Sequence, residues 1–171
     1  MNRHVLSLLV KNSSGVLSRV VGLFSRRGYN IDSLSVGKTE NPDISRMTIC
    51  LNGDDDILEQ CEKQITKLQE VISVENLKPE QSVYRELVSI KVNATDENRG
   101  KINEIVKIFR SKIIDVSKDT LTIELTGDES KIEALMKLLS EYGIEELVRT
   151  GLTALERGDT TIIKRNNLRI W

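Results

Sequence analysis

The sequence predicts an α+β fold, two βαββαβ units in series across 171 residues. Two observations carry that expectation. Short runs rich in Val, Leu and Ile recur between turn residues, and four longer stretches repeat apolar residues at three- and four-residue spacing. The order strand, helix, strand, strand, helix, strand is completed once before the polar connection Lys78, Pro79, Glu80, Gln81 and once after it.

The first unit opens with an apolar strand over residues 4–10, HVLSLLV. Residues 11–31, KNSSGVLSRVVGLFSRRGYNI, follow, and here Asn12, Ser13, Ser14 and Gly15 form a polar turn that leads into a helix. Val16, Leu17, Val20, Val21, Leu23 and Phe24 lie on one helical face. Gly28 is placed to close the last turn, with Arg26 and Arg27 complementing the helix dipole. Residues 29–36 then lead through Thr39, Glu40, Asn41, Pro42 and Asp43 into a run where Met47, Ile49 and Leu51 alternate with Arg46, Thr48 and Cys50. That is a hairpin with one buried face. Asp54, Asp55 and Asp56 open a second helix marked by Ile57, Leu58, Cys61, Ile65 and Leu68, and residues 71–77 close the unit as a strand.

The pattern is that of a ferredoxin-like fold, an antiparallel sheet carrying two helices on one face. With the other face uncovered, the bare sheet or its edge is a place for a second copy to dock, and a homodimer is expected. The grammar then repeats. Residues 83–92 read as a strand, Ile102, Ile105, Val106 and Phe109 as a helix, and Ile113, Ile114 and Val116 as a strand. Leu121, Ile123 and Leu125 alternate, Ile132, Leu135, Met136 and Leu139 mark a helix, and residues 144–149 finish as a strand. We expect domains at 1–78 and 79–158 and a tail at 159–171. From residue 152 onward, Arg157, Lys164, Arg165 and Arg169 show little periodicity and read as loose chain or as a segment docked on a partner.

Composition excludes several functions. Lys plus Arg number 25 against 26 Asp plus Glu, so no long-range field marks a nucleic-acid binder or a polybasic membrane protein. No apolar run approaches bilayer-spanning length, and MNRHVLSLLV is neither a secretory nor a transit signal, so a cytoplasmic protein is expected. Cys50 and Cys61, without C-x-x-C spacing, read as reduced, partly buried thiols. His4 is the single histidine, which leaves no Ser/His/Asp set, and neither a P-loop nor a G-x-G-x-x-G turn occurs. The Asp54, Asp55, Asp56 run lacks the spaced ligands of a calcium loop and suits a helix N-terminus, so no metal is expected.

What remains is the turn before the first helix. Asn12 can both donate and accept, and Gly15 lets backbone N–H groups approach a ligand without an intervening Cβ. An N-cap with a turn glycine explains the same residues, and the residues alone leave both readings open. Asn30 and Ile31, just past the Gly28 cap, likewise read either as an amide beside an apolar wall or as a turn residue and a core isoleucine. The corresponding start in the second half, Thr95, Asp96, Glu97, Asn98, Arg99, Gly100, is acidic and lacks the Asn-x-x-Gly turn, a poorer seat for a carboxylate.

The run NSSGVLSRVVGLFSRRGYNIDSLSVGKTENPDISRMTI closely resembles the small, regulatory subunit of acetolactate synthase (acetohydroxyacid synthase), whose N-terminal part is an ACT domain. YRELVSIKV, IFRSKIIDVS, LTIELTGDESK and EYGIEELVRTGLTALERG resemble that family's second domain, so the likeness spans about residues 3–158. The resemblance implies a subunit that does no chemistry alone, pairs through its ACT domains, and activates a large thiamin diphosphate-dependent catalytic subunit. It also implies feedback inhibition by a branched-chain amino acid, usually valine, in valine, leucine and isoleucine synthesis. Thiamin diphosphate, magnesium and FAD are then expected in the catalytic partner and none in this chain. The family's effector positions fall on Asn12, Gly15, Asn30 and Ile31, with Val16 and Leu17 beside them. The alternative is a stand-alone ACT-type sensor acting on another enzyme.

Overall fold

The computed structural model describes residues 2–168, with the backbone alone for Asn2 and Ile57. The expected apolar side chain of Ile57 and the tail cation Arg169 lie outside what is described. The chain divides into two compact units, Met1–Tyr84 together with Leu152–Trp171, and Arg85–Gly151.

In the first unit β1 (Asn2–Lys11), α1 (Val16–Arg26), β2 (Ile31–Lys38), β3 (Ile44–Gly53), α2 (Asp55–Ile65) and β4 (Val71–Asn76) follow the expected order. The sheet is antiparallel, ordered β2-β3-β1-β4, so β2 and β4 are its edges. On one face Leu6, Leu8, Val10, Met47, Ile49 and Leu51 meet Val16, Val20 and Phe24 of α1 and Leu58, Cys61 and Ile65 of α2. Every second strand residue thus packs against helix residues three or four apart. Helix α1 stops where the sequence says it should. Gly28 sits at φ 70, its N–H donates to Ser25 O, and Tyr29 N–H donates to Phe24 O, a Schellman closure.

In the second unit β5 (Ser82–Asn93), α3 (Arg99–Ile108), β6 (Lys112–Val116), β7 (Thr120–Gly127), α4 (Glu129–Leu139) and β8 (Ile144–Arg149) repeat the topology, ordered β6-β7-β5-β8. Val88, Ile90, Val92, Leu121, Ile123 and Leu125 form its sheet-side core under Ile102, Val106, Ile132, Leu135 and Leu139. Both units are therefore the ferredoxin-like fold expected.

Two expectations are corrected. The first concerns the supposedly bare face of the first sheet. Strand β3 is buried on both faces, since Thr48 and Cys50, which alternate with the core residues Met47, Ile49 and Leu51, are themselves buried. The chain beyond Gly151 returns to cover that second face as β9 (Thr153–Glu156) and the single turn α5 (Ile162–Arg165). Leu152 and Ala154 pack with Val5, Cys50, Leu77 and Tyr84, while Ile162 packs with Leu9 and Ile44. Arg165 pairs with Glu75 and Glu156, and Asn166 Nδ2 donates to Glu75 at 2.8 Å. The second correction follows. The segment from 152 to 168 is neither the end of the second domain nor a loose tail, because its apolar residues pack on the first sheet's other face. The units separate at 84/85 and 151/152 rather than at 78/79 and 158/159.

Candidate functional site

The turn before α1 is held from below. Val16, Val20 and Phe24 are buried, which fixes the helix on the sheet and leaves residues 12–15 exposed at its N-terminus. Gly15 is the N-cap at φ 83, ψ −9, a left-handed conformation that costs an L-residue roughly 1–2 kcal/mol. An added Cβ there would meet nothing within 4 Å, so the demand for glycine is conformational and not steric. No side chain caps this helix. Its first-turn N–H groups therefore face outward without a side-chain acceptor, an anion seat in the general sense.

Asn12 is not the cap that one reading of the turn supposes. Its N–H donates to Asp43 O at 2.7 Å and its Nδ2 to Pro42 O at 2.8 Å, so it ties the turn to the β2–β3 loop. Oδ1 is left as its acceptor.

Asn30 and Ile31 stand at the start of β2. The register of β2 against β3 shifts there, from Ile31 opposite Leu51 to Ser33 opposite Cys50, so that Asp32 is the extra residue of a β-bulge. Ile31 packs toward the helices with the main core. The Asp32 carboxylate accepts from Asn30 Nδ2 at 2.9 Å and from Asn52 Nδ2 at 2.5 Å. That engages Asn30 through its amide nitrogen, leaves its oxygen as an acceptor and sets a negative charge beside it. Asp32 and Asn52 are the residues that pattern reading misses. A single acid in a strand looks like a solvent-facing position, and a bulge leaves no periodic mark.

The two pairs do not meet within one protomer. Gly15 begins α1 and Asn30 follows its end, and 11 residues of helix span about 16 Å. The sheet agrees. Lys11, next to Asn12, lies opposite Ile44, whereas Ile31 lies opposite Leu51, seven residues along β3 and roughly 23 Å away. One side of β2 is an open edge along its whole length, flanked by exposed Val36 and, on α1, exposed Leu17.

The start of α3 in the second unit also has no side-chain cap, but it stands beside Asp96 and Glu97, a poorer seat for an anion. Its N-cap residue, Asn98, is in a helical conformation, and Arg99 Nη2 is spent on the carbonyls of Ala94, Ser117 and Lys118 at 3.0, 2.9 and 2.6 Å. The shallow depression beside it is lined by Thr95, Asp96, Glu97, Lys118 and Asp119, a mostly acidic surface. Among the described residues no group of three or more His, Cys, Asp or Glu side chains could hold a metal ion, and no helix is long and apolar enough to cross a membrane. Cys50 and Cys61 are buried and unpaired, and burial pushes both thiols up from their ordinary values.

Fold and turn together define an ACT domain followed by a second ferredoxin-like domain. Family comparison agrees: residues 6–73 match the AHAS small subunit-like ACT domain, and residues 85–158 match the family described as the small subunit of acetolactate synthase. The chain belongs to the acetolactate synthase small-subunit family. It is 53% identical over 157 residues to the probable acetolactate synthase small subunit of Archaeoglobus fulgidus, covering 92% of this chain and 98% of that one. It is 50% identical over 155 residues to the acetolactate synthase small subunit of Mycolicibacterium smegmatis, covering 91% of each. The crystal structure of the acetolactate synthase small subunit from Thermotoga maritima superposes with a TM-score of 0.87 at 46% identity, covering 94% of this chain and all of that one.

Proposed function

We propose that this chain is a non-catalytic regulatory subunit. It binds a branched-chain amino acid, valine foremost, between two copies of its ACT domain and passes occupancy to a thiamin diphosphate-dependent catalytic subunit. The carrying observation is the separation of the two half-sites along an open edge strand. Pairing two β2 edges about a two-fold axis runs them antiparallel. Residue 31 of one copy then lies near the Lys38 end of the other, the end to which Asn12 is tied through Pro42 and Asp43. Each half-site is thereby completed by a second copy, and two equivalent sites form per dimer.

The chemistry divides between the halves. First-turn N–H groups behind Gly15 take the carboxylate, and the Asn12 amide oxygen lies alongside as an acceptor. From the second copy, the Asn30 oxygen and the Asp32 charge favour the ammonium, while Ile31, with Leu17 and Val36, supplies apolar wall for a branched side chain. At roughly −0.5 to −1 kcal/mol per heavy atom, a valine-sized ligand binds with Kd between millimolar and micromolar, suited to sensing a metabolite pool.

Calorimetric titration with valine, leucine and isoleucine, with and without the catalytic subunit, tests the reading. A pair of variants tests the site. Gly15→Asn and Gly15→Asp both tolerate positive φ and have nearly the same shape, so they differ in charge. Gly15→Asp is expected to abolish inhibition while activation of the catalytic subunit persists, and Gly15→Asn to weaken inhibition far less. Equal inhibition midpoints in wild type and Gly15→Asp would refute the site.

A further inference from the structure

We infer that Ser33 and Ser35 are positioning residues that carry effector occupancy from β2 to the chain returning from the second unit; this rests on the reading of β2 as the effector strand. Ser33 Oγ accepts from Leu152 N–H at 2.8 Å, and Ser35 Oγ donates to Leu152 O at 2.8 Å. Both backbone groups of one residue are thus satisfied by two side chains of β2 and not by a strand ladder. Residues two apart on a strand share a face, so the two serines form a two-point clip.

The clip has a particular relation to the site. In an unbroken strand Ser33 would share a face with Ile31. The bulge at Asp32 reverses this, leaving Ile31 toward the helices and turning Ser33, opposite Cys50, and Ser35, opposite Thr48, toward the other face. Asp32 therefore sits between the Asn30 amide it engages and the serine that holds Leu152. A ligand that draws on Asn30 and the Asp32 charge acts on the same bulge. Rotation of the bulge displaces Ser33 and, with it, Leu152.

Leu152 cannot absorb that displacement locally. Its side chain is 3% exposed, packed with Val5, Cys50, Leu77, Ala154 and Tyr84. It is the first residue after Gly151, which stands at φ 80, and Thr150 is fixed in turn by hydrogen bonds with Leu87. A packed element with discrete arrangements, biased at one end by a ligand, is what transmits coupling.

The test uses the holoenzyme reconstituted with the catalytic subunit and valine as the probe. Ser33→Ala and Ser35→Ala, singly and together, are expected to keep the valine midpoint by calorimetry within about twofold, while maximal inhibition falls at least threefold in the double variant. Ser33→Thr and Ser35→Thr, which keep the hydroxyls, are expected to retain inhibition, a rescue that loss of packing alone would not give. Hydrogen exchange in the wild type is a second arm that needs no variant: valine is expected to change exchange across residues 150–156 at least threefold. Unchanged maximal inhibition in the double variant, or exchange in that segment indifferent to bound valine, overturns the inference and leaves the site reading standing. Failure of the wild-type holoenzyme to bind any branched-chain amino acid overturns both.

Discussion

Tyr84 carries more structural weight than its place at the end of the first unit suggests. Its hydroxyl donates to Leu77 O, and its ring packs beside Leu152 and Ala154 under the sheet. Burial, then the neighbouring Cys50, pushes the phenol up to about 12. The folded state therefore holds this proton more tightly than the unfolded one, whose phenol titrates near 10. The stabilisation is complete below pH 10 and is lost as pH rises from about 10 through about 12. Denaturant midpoints across that range are expected to fall more steeply for wild type than for Tyr84→Phe, which should cost about 1 kcal/mol at neutral pH. At this scale the sequence is uneven. Gly15 and Gly28 are legible because positive φ restricts residue choice. Asn12 is visible as a polar turn residue, but its bond to Pro42 joins positions 30 apart, and no local pattern encodes such a partner. Asp32 is hidden by the bulge it creates.

Among the elements, α1 and α4 make an instructive contrast. Helix α4 starts on Asp128, which accepts from Lys131 N–H at 2.9 Å and from Ser130 Oγ at 2.8 Å, and α1 starts on Gly15 with no side-chain cap. The Lys131 N–H, with the Ser130 hydroxyl, holds the Asp128 carboxyl below its ordinary range. With the folded value lowered, the contribution is present at neutral pH and is lost as pH falls below the usual carboxylate range through that value. Asp128→Ala should cost about 1 kcal/mol in urea unfolding at pH 7, and Asp128→Asn should keep most of the cap while removing its dependence on acid. Helices α2 and α3 likewise start without a side-chain cap. All four long helices and the eight strands of the two βαββαβ sets are legible, because periods of 3.6 and 2 survive burial on one face. β9 and α5 are not, since four residues each are too few to establish a period.

Taken whole, the molecule is one chain that builds its first unit in two visits. Within the second unit, Arg149 donates to Glu86 at 3.0 and 2.6 Å and to Glu133 at 3.0 Å, and these bonds, that to Glu86 foremost, raise its guanidinium well above its ordinary value. Glu86 is buried, so Arg149→Ala should destabilise by about 2 kcal/mol, with partial recovery when Glu86→Leu removes the stranded charge. Ending the chain at Gly151 is expected to be worse. Leu152 and Ile162 alone contribute about 1.5–3 kcal/mol each by burial, a large share of a domain's margin of roughly 5–15 kcal/mol. The truncated chain should bind a hydrophobic dye and aggregate, whereas a soluble, dye-free product with the full-length denaturant midpoint would contradict this account. The repeat of the fold is legible as a repeated order of elements, but the return of residues 152–168 depends on distant apolar partners. The two-visit path also sets a timetable for synthesis. After residue 84 has been made, the underside of the first sheet, with Val5 and Cys50, waits for residue 152 to be translated, roughly 3 to 14 s at about 5–20 residues per second. During that interval the nascent chain carries an unshielded apolar surface, while the contiguous second unit is free to mature on the ribosome ahead of the unit that precedes it.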